Sequence, residues 1–281
     1  MIQWYPGHMA KAMREMNDLV KLVDAIIILI DARIPASSIN PKLDELFKNK
    51  ICVYVLTKKD KADDFYTKKW LEHFKKEGKY AISVDLKSSN PYTAFYPLLR
   101  EALKEKREKD LKKGLKIRPA KLMIVGIPNV GKSTFINRLV GKKVVAVGDK
   151  PGVTKNQQWI RLNENSKQAV DKYELLDTPG VLWPKFDNEV TGYNLALTGA
   201  ISDNVVNLEH LAMYLCSFLK ENYPGRLTKR YEIKEDIKEN EFIEELAKKK
   251  KITVLEASKI LINDYRNDAF QKITLDVIKN D

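Results

Sequence analysis

The sequence predicts an α/β fold, a mostly parallel, doubly wound sheet followed by a small all-α part. Three observations predict it. Short apolar runs, Ala25–Ile30, Ile51–Leu56 and Leu122–Val125, read as strands buried on both faces. Segments of helical period separate them, the alternation that builds βαβ units. Beyond about Ser202 the strand signals stop and only helical stripes follow.

Met9, Met13, Met16, Leu19, Val20 and Val23 recur at helical spacing, so residues 9–23 are expected to form an amphipathic helix with its methionines in the core. The irregular Trp4-Tyr5-Pro6-Gly7-His8 leads into it. Asp24–Asp31 is a strand with acidic ends, and Pro41–Lys48 a helix with proline in its first turn. Ile51–Leu56 is the second strand, Trp70, Leu71 and Phe74 mark a helix, and Tyr80–Ser83 is the third strand. A long helix runs from about Tyr92 to Lys113, broken by Gly114 and Pro119. Leu122–Val125 forms the fourth strand, and Thr134, Phe135, Ile136, Arg138 and Leu139 its following helix. After the turn-rich Asp149–Thr154, strands are expected near Gln157–Leu162 and at Tyr173–Leu176. Leu208, Leu211, Leu215, Phe218 and Leu219 make one helical stripe, and Phe242, Ile243 and Leu246 a second. Thr253 with Glu256 makes a capping box ahead of Ala257, Ile260 and Leu261. The expected division is residues 1–201 and 202–281.

Composition narrows the function classes. With 281 residues, 44% apolar and 31% charged, the chain can bury a sizeable core and is neither fibrous nor disordered. Its longest apolar run is far below the ~20 residues of a membrane span, and the first residues lack the pattern of a signal peptide. A cytoplasmic protein without a membrane partner, a monomer when free, is expected. Cys52 and Cys216 read as buried thiols, so no disulfide framework is expected. The net charge of +12 is uneven: residues 222–281 hold 13 Lys/Arg against 12 Asp/Glu, while Lys104–Lys121 alone holds 9 against 3. Such clusters suit a nucleic-acid partner or a well-solvated surface equally.

Gly126-Ile127-Pro128-Asn129-Val130-Gly131-Lys132-Ser133 matches G-x-x-x-x-G-K-[ST] between a strand and a helix, the context that gives this pattern its meaning. Backbone N–H groups from Asn129 through Thr134 can cradle phosphates, Lys132 adds a point charge, and the Ser133 hydroxyl can ligate Mg2+. The helix start adds its positive dipole end. Asp177-Thr178-Pro179-Gly180 closes a strand 51 residues after Gly126, where Asp177 can hold the Mg2+ shell and the Gly180 N–H can meet a γ-phosphate. Thr154 lies between them, either reaching Mg2+ and the γ-phosphate or serving only as a turn residue after Pro-Gly. Thr57-Lys58-Lys59-Asp60 resembles N-K-x-D, in which the carboxylate accepts from guanine N1–H and the 2-amino group that adenine lacks. The expected nucleotides are therefore GTP and GDP. Ser83 and Val84 follow Asp60 by about 23 residues, where a second base loop belongs.

In an ordinary Ras-like GTPase the base motifs follow the phosphate motifs; here Asp60 precedes Gly126. This is the order of a circularly permuted P-loop GTPase, with Lys112–Pro119 as the joining linker. The permuted order, Pro6-Gly7-His8-Met9, Asp31-Ala32-Arg33-Ile34-Pro35, Asp177-Thr178-Pro179-Gly180 and the helical tail together resemble the ribosome biogenesis GTPase A (YlqF/RbgA) family along essentially the whole chain. The resemblance implies a GTPase that assists late assembly of the large ribosomal subunit, is stimulated by it, and touches its rRNA through the tail.

Two departures stand out from the general pattern. Thr57 replaces Asn, which predicts a weaker tie between base loop and phosphate loop, and Val84 replaces Ala. Val181 and Leu182 follow the Asp177–Gly180 motif, and neither can orient water, so slow intrinsic turnover is expected. His8 is the candidate for that role, supported by the resemblance, with a plain surface histidine as its alternative. The resemblance also places a possible K+ at Asn129, which otherwise serves only the turn. Lys248–Lys251 is the sharpest candidate for phosphate-backbone contact, or else a solvated loop between helices. The rival function is a GTP-regulated factor acting on another RNA, such as tRNA.

Overall fold

The computed structural model describes residues 16–88, 91–145, 158–178 and 188–278. Among them, β1 (Ala25–Asp31), β2 (Ile51–Thr57), β3 (Tyr80–Ser83), β4 (Ala120–Gly126), β5 (Gln158–Leu162) and β6 (Tyr173–Asp177) form one sheet in the order β3-β2-β1-β4-β6-β5. All pairings are parallel except β5 with β6, which is antiparallel. The register sets Asp31 beside Thr57, Leu56 beside Ser83, Leu29 beside Gly126 and Ile124 beside Asp177. The candidate residues thus share the carboxyl edge, where open α/β sheets bind ligands.

This is the sheet of a Ras-like domain entered out of turn: β1, β2 and β3 are laid outward from the centre before β4 returns to it. Asp24 fastens the joint. Its carboxylate accepts from the Lys121 backbone N–H at 2.8 Å and from both Arg118 Nη atoms at 2.9 and 3.1 Å, and pairs with Lys106 at 3.1 Å. Burial works against this charge, yet the donors hold its pKa below the ordinary value.

Strand alternation fills both faces. Ala25, Ile27 and Leu29 join one buried cluster, and Ile26, Ile28 and Ile30 the other. Helix α1 (Pro41–Phe47), helix α2 (Asp64–Lys76) and the helical residues 16–20 supply the second cluster with Leu43, Phe47, Trp70, Phe74, Met16 and Val20. Met16, Val20 and Val23 are buried as expected, while Met9 and Met13 lie outside the described residues. Asp63 caps α2 by accepting from the Phe65 and Tyr66 N–H groups. Helix α3 (Tyr92–Lys112) and helix α4 (Lys132–Val140) pack Phe95, Leu99, Phe135 and Ile136 against the first cluster.

That first cluster continues into the helical half: α5 (Glu189–Leu197), α6 (Leu208–Asn222), α7 (Arg226–Tyr231), α8 (Glu239–Lys250) and α9 (Val254–Arg266). The Thr253–Glu256 capping box forms at the start of α9. Two expectations are corrected. Cys52 is half-buried, while Cys216 is buried and its thiol is pushed up to about 12 by burial. Lys248–Lys251 is not a loop: three lysines form the last turn of α8, where positive charge suits the helix dipole, and Lys251 caps it at φ 56.

Residues after α9 return to the first half as a strap. Leu275 N–H donates to Arg33 O at 2.7 Å, Ile273 N–H to Lys61 O at 3.1 Å, and Trp70 Nε1 to Asp276 O at 2.8 Å. The buried Asp276 carboxylate accepts from Ser37 N, Ser37 Oγ and Asn194 Nδ2 at 2.7–2.9 Å. Burial outweighs these bonds and pushes its pKa up to about 6. A carboxyl raised in the folded state stabilises fully below its unfolded value near 3.9 and loses that contribution as pH rises through about 6. Urea titrations should therefore show this group adding up to ~3 kcal/mol between pH 7.5 and pH 4, a component that Asp276→Asn removes.

Candidate functional site

The phosphate loop turns sharply between β4 and α4. Asn129 sits at φ 59 and Gly131 at φ 99, the left-handed region that asparagine tolerates and glycine adopts freely. Gly126 is required for a different reason: a Cβ there would stand 3.0 Å from both the Leu29 carbonyl and Val130 Cγ1. The first intrahelical bond of α4 runs from the Phe135 N–H to Gly131 O, and no side chain caps its N-terminus. Lys132, Ser133 and Thr134 occupy that first turn, whose N–H groups suit an anion.

Lys132 Nζ forms a buried ion pair with Asp177 Oδ1 at the end of β6. Burial lowers the lysine pKa and the Asp177 charge works to restore it. Asp177 Oδ2 is buried and has no hydrogen-bond partner among the described residues. A buried oxygen with unused lone pairs, on a carboxylate paired to the first turn of α4, fits Mg2+, a hard cation that takes oxygen ligands. Next to it, the Thr178 hydroxyl donates to Ile124 O at 2.5 Å and fixes the backbone just after β6.

The base loops sit beside this site. Thr57 is fully buried, with Oγ1 2.5 Å from Val130 O and 3.1 Å from Ile30 O. A hydroxyl has one proton to give, and the nearer acceptor is the phosphate loop. The Thr57 tie to the phosphate loop is a direct one, from its hydroxyl to the Val130 carbonyl. Lys58 sits at φ 56 with Nζ 3.5 Å from Asp31 Oδ2, and burial lowers its pKa. Asp60 is mostly buried and meets Lys87 Nζ at 2.7 Å. Ser83 ends β3, and the Val84 N–H is spent on Leu56 O at 2.8 Å. A donor toward a purine carbonyl must then come from the following turn, Asp85-Leu86. The Asp85 carboxylate folds that turn by accepting from the Lys87 and Ser88 N–H groups at 2.8 and 3.3 Å.

Asp31 and Arg33 bind this site to the helical half. Arg33 Nε and Nη2 grip the Asp31 carboxylate at 3.0 and 2.8 Å, and its Nη2 also reaches Thr198 O at 3.4 Å. Its guanidinium lies 5.8 Å from the Tyr265 ring centroid. Burial alone would raise the Asp31 pKa, but Arg33 and Lys58 outweigh it and hold it at about 2. Asn129 Nδ2 donates to Gly199 O at 2.7 Å, a second link to the segment entering the helical half.

Thr57, Lys58, Asp60, Ser83, Val84, Asn129, Val130, Gly131, Lys132, Ser133, Thr134 and Asp177 thus gather on the carboxyl edge of β1, β2, β3, β4 and β6. His8, Thr154 and Gly180 lie outside the described residues. Sequence reasoning missed Leu86, Lys87 and Gly199, none of which carries a local pattern. Leu86 packs near Gly131, where an added Cβ would stand 3.6 Å from its Cδ1.

A family model described as a 50S ribosome-binding GTPase matches residues 121–257, beginning at the phosphate-loop strand and leaving out the base motif that precedes it here. The ribosome biogenesis GTPase A of Bacillus licheniformis is 44% identical over 98% of this chain and 98% of its own length. A GDP-bound YlqF structure aligns with a TM-score of 0.66 at 24% identity, over 95% of this chain and all of that one. The GNP-bound YlqF of Thermotoga maritima aligns at 0.61 and 26% identity, with the same coverage.

Removing the Thr57 hydroxyl isolates the tie between the loops. Thr57→Val should weaken GDP binding about fivefold, close to the ~1 kcal/mol of one hydrogen bond, mainly through faster release. Thr57→Ser should restore it. Stopped-flow release of a fluorescent GDP analogue checks both variants, and an unchanged rate in the valine variant would show that the hydroxyl does not hold the site.

Proposed function

The chain belongs to the ribosome biogenesis GTPase A family of GTP-hydrolysing enzymes, and on that premise we propose that it serves assembly of the large ribosomal subunit in the cytoplasm. On this reading it turns over slowly alone and faster on the subunit, and residues 202–281 carry rRNA contact. The observation that supports the proposal is a link on each side of the site: Asn129 holds Gly199 in the segment entering the helical half, and Arg33, which grips Asp31, meets Tyr265 and Leu275 within that half. A change in the phosphate loop then reaches residues 202–281 through the segment at Gly199. Among the described residues no helix is long and apolar enough to cross a membrane.

The chain's own residues divide the chemistry. Asp60 accepts from guanine, and Lys87, now on that carboxylate, moves aside as the base enters. N–H groups of the first turn of α4 hold the phosphates, and Lys132 exchanges the Asp177 carboxylate for phosphate oxygens of the same charge. Ser133 and Asp177, with Thr154, would hold Mg2+, which when bound neutralises charge building on the β- and γ-oxygens. With its amide nitrogen on Gly199, Asn129 has its amide oxygen to offer K+. Phosphoryl transfer needs an oriented water, and no glutamine follows Gly180. We assign that role to His8, exercised on the subunit.

Turnover measured in potassium buffer should rise many-fold when purified large subunits are added. Indifference to subunits would leave the GTPase standing and remove the ribosomal assignment. His8→Ala should bind GTP as tightly as the parent and lose at least ~100-fold of the subunit-stimulated rate, the usual range for a proton-handling or water-orienting group. Parent-like turnover of that variant on subunits would end the role given to His8.

A further inference from the structure

The outer strand β5 presents an aromatic and basic strip that the nucleotide chemistry does not use. Ile160 and Leu162 face the core, so alternation turns Trp159 and Arg161 outward. Trp159 keeps 43% of its surface exposed and the Arg161 side chain 75%. The register sets Arg161, Glu174 and Lys121 in one row across β5, β6 and β4, with Trp159, Leu176 and Met123 in the next. Lys121 Nζ stands 5.2 Å from the Trp159 ring centroid. Farther along, Arg161 lines a cavity of about 250 Å³ with Pro119, Lys172, Tyr173, Glu164 and Glu174. Glu164 pairs with Arg161 at 3.7 Å; Arg118, next to Pro119, is held by Asp24.

Lysine and glutamate suffice for a merely solvated face. An exposed indole with a lysine over its ring and an arginine alongside is instead a combination that captures single-stranded nucleic acid: a base stacks on the ring as the lysine moves to a flanking phosphate. The strip also continues the Lys104–Lys121 stretch, where 9 basic residues face 3 acidic ones. We propose that β5 and its neighbours form a contact for an unpaired RNA segment, with a base on Trp159 and the backbone along Lys121, Arg161 and Lys172. This deepens the ribosomal reading, on which it rests for the class of partner, by adding a site on the GTPase half separate from the helical tail.

The test uses the full chain, a labelled ten-nucleotide single-stranded RNA and a duplex of the same length, titrated at several salt concentrations. Trp159→Ala should weaken single-strand binding between about five- and 150-fold, the range of one stacked base, with Trp159→Phe recovering most of it. Arg161→Gln should lower the magnitude of the salt slope by about 1, and duplex affinity should change little in the tryptophan variants. Unchanged basal GTP turnover in Trp159→Ala reports an intact fold. A parent that ignores single-stranded RNA at low salt, a Trp159→Ala protein that binds it as the parent does, or equal losses for strand and duplex would each overturn the proposal. Glutamines at Lys248–Lys251 serve as the control: RNA binding lost there and not at Trp159 sinks this strip while the ribosomal reading survives. Loss of subunit stimulation in the parent would sink that reading independently.

Discussion

A carboxylate buried at the end of the central strand supports everything around the site. Asp31 receives two guanidinium nitrogens from Arg33 and lies within 3.5 Å of Lys58, so one negative charge orients both the base loop and the arginine. Arg33 in turn faces Thr198 and Tyr265, and its carbonyl anchors Leu275. Charges this deep are tolerated because each has a partner; stripping one from a buried pair typically costs about 3–5 kcal/mol. The nucleotide loops and the helical half therefore share one electrostatic footing, and neither can shift far without disturbing it.

Around that footing the loops are held by short, directional contacts. Gly126 admits the Leu29 backbone, Asn129 and Gly131 take the left-handed conformation that turns the loop, and Thr57 closes it from the β2 side. Such positions cost conformational energy, and they persist where surrounding structure fixes them. A cradle formed in advance of its ligand spends less binding energy on ordering.

The sequence made the motifs legible because phosphate and guanine chemistry demand particular residues at short spacing: Gly126 to Ser133, Thr57 to Asp60, Asp177 to Gly180. The parallel strands were equally plain, since Ala25–Asp31 and, from Val53 on, β2 are buried on both faces and read as unbroken apolar runs. What escaped was non-local. Nothing near Asp24 says that Arg118 and Lys121 will meet it, and nothing near Gly199 says that Asn129 will. That Thr57 ties the loops at all depends on β2 bringing its hydroxyl to Val130, which a comparison of side chains does not show. The lysine run at 248–251 lies in the last turn of α8 rather than between helices, because charge is a poor guide to where a helix stops.

The strap has a kinetic meaning. Ser37 and Asp276 are 239 residues apart, Asp63 and Thr274 211, and Trp70 and Asp276 206. Contacts closing loops of that size form late, because the chain's loss of freedom precedes the reward. During synthesis the base loop would thus exist, and even the whole sheet could be paired, before its outer brace arrives from more than 200 residues downstream. Nascent chains would pass through a stage in which the guanine-reading loop is built but unsecured. Nucleotide arriving at that stage would meet a softer site than the finished protein offers.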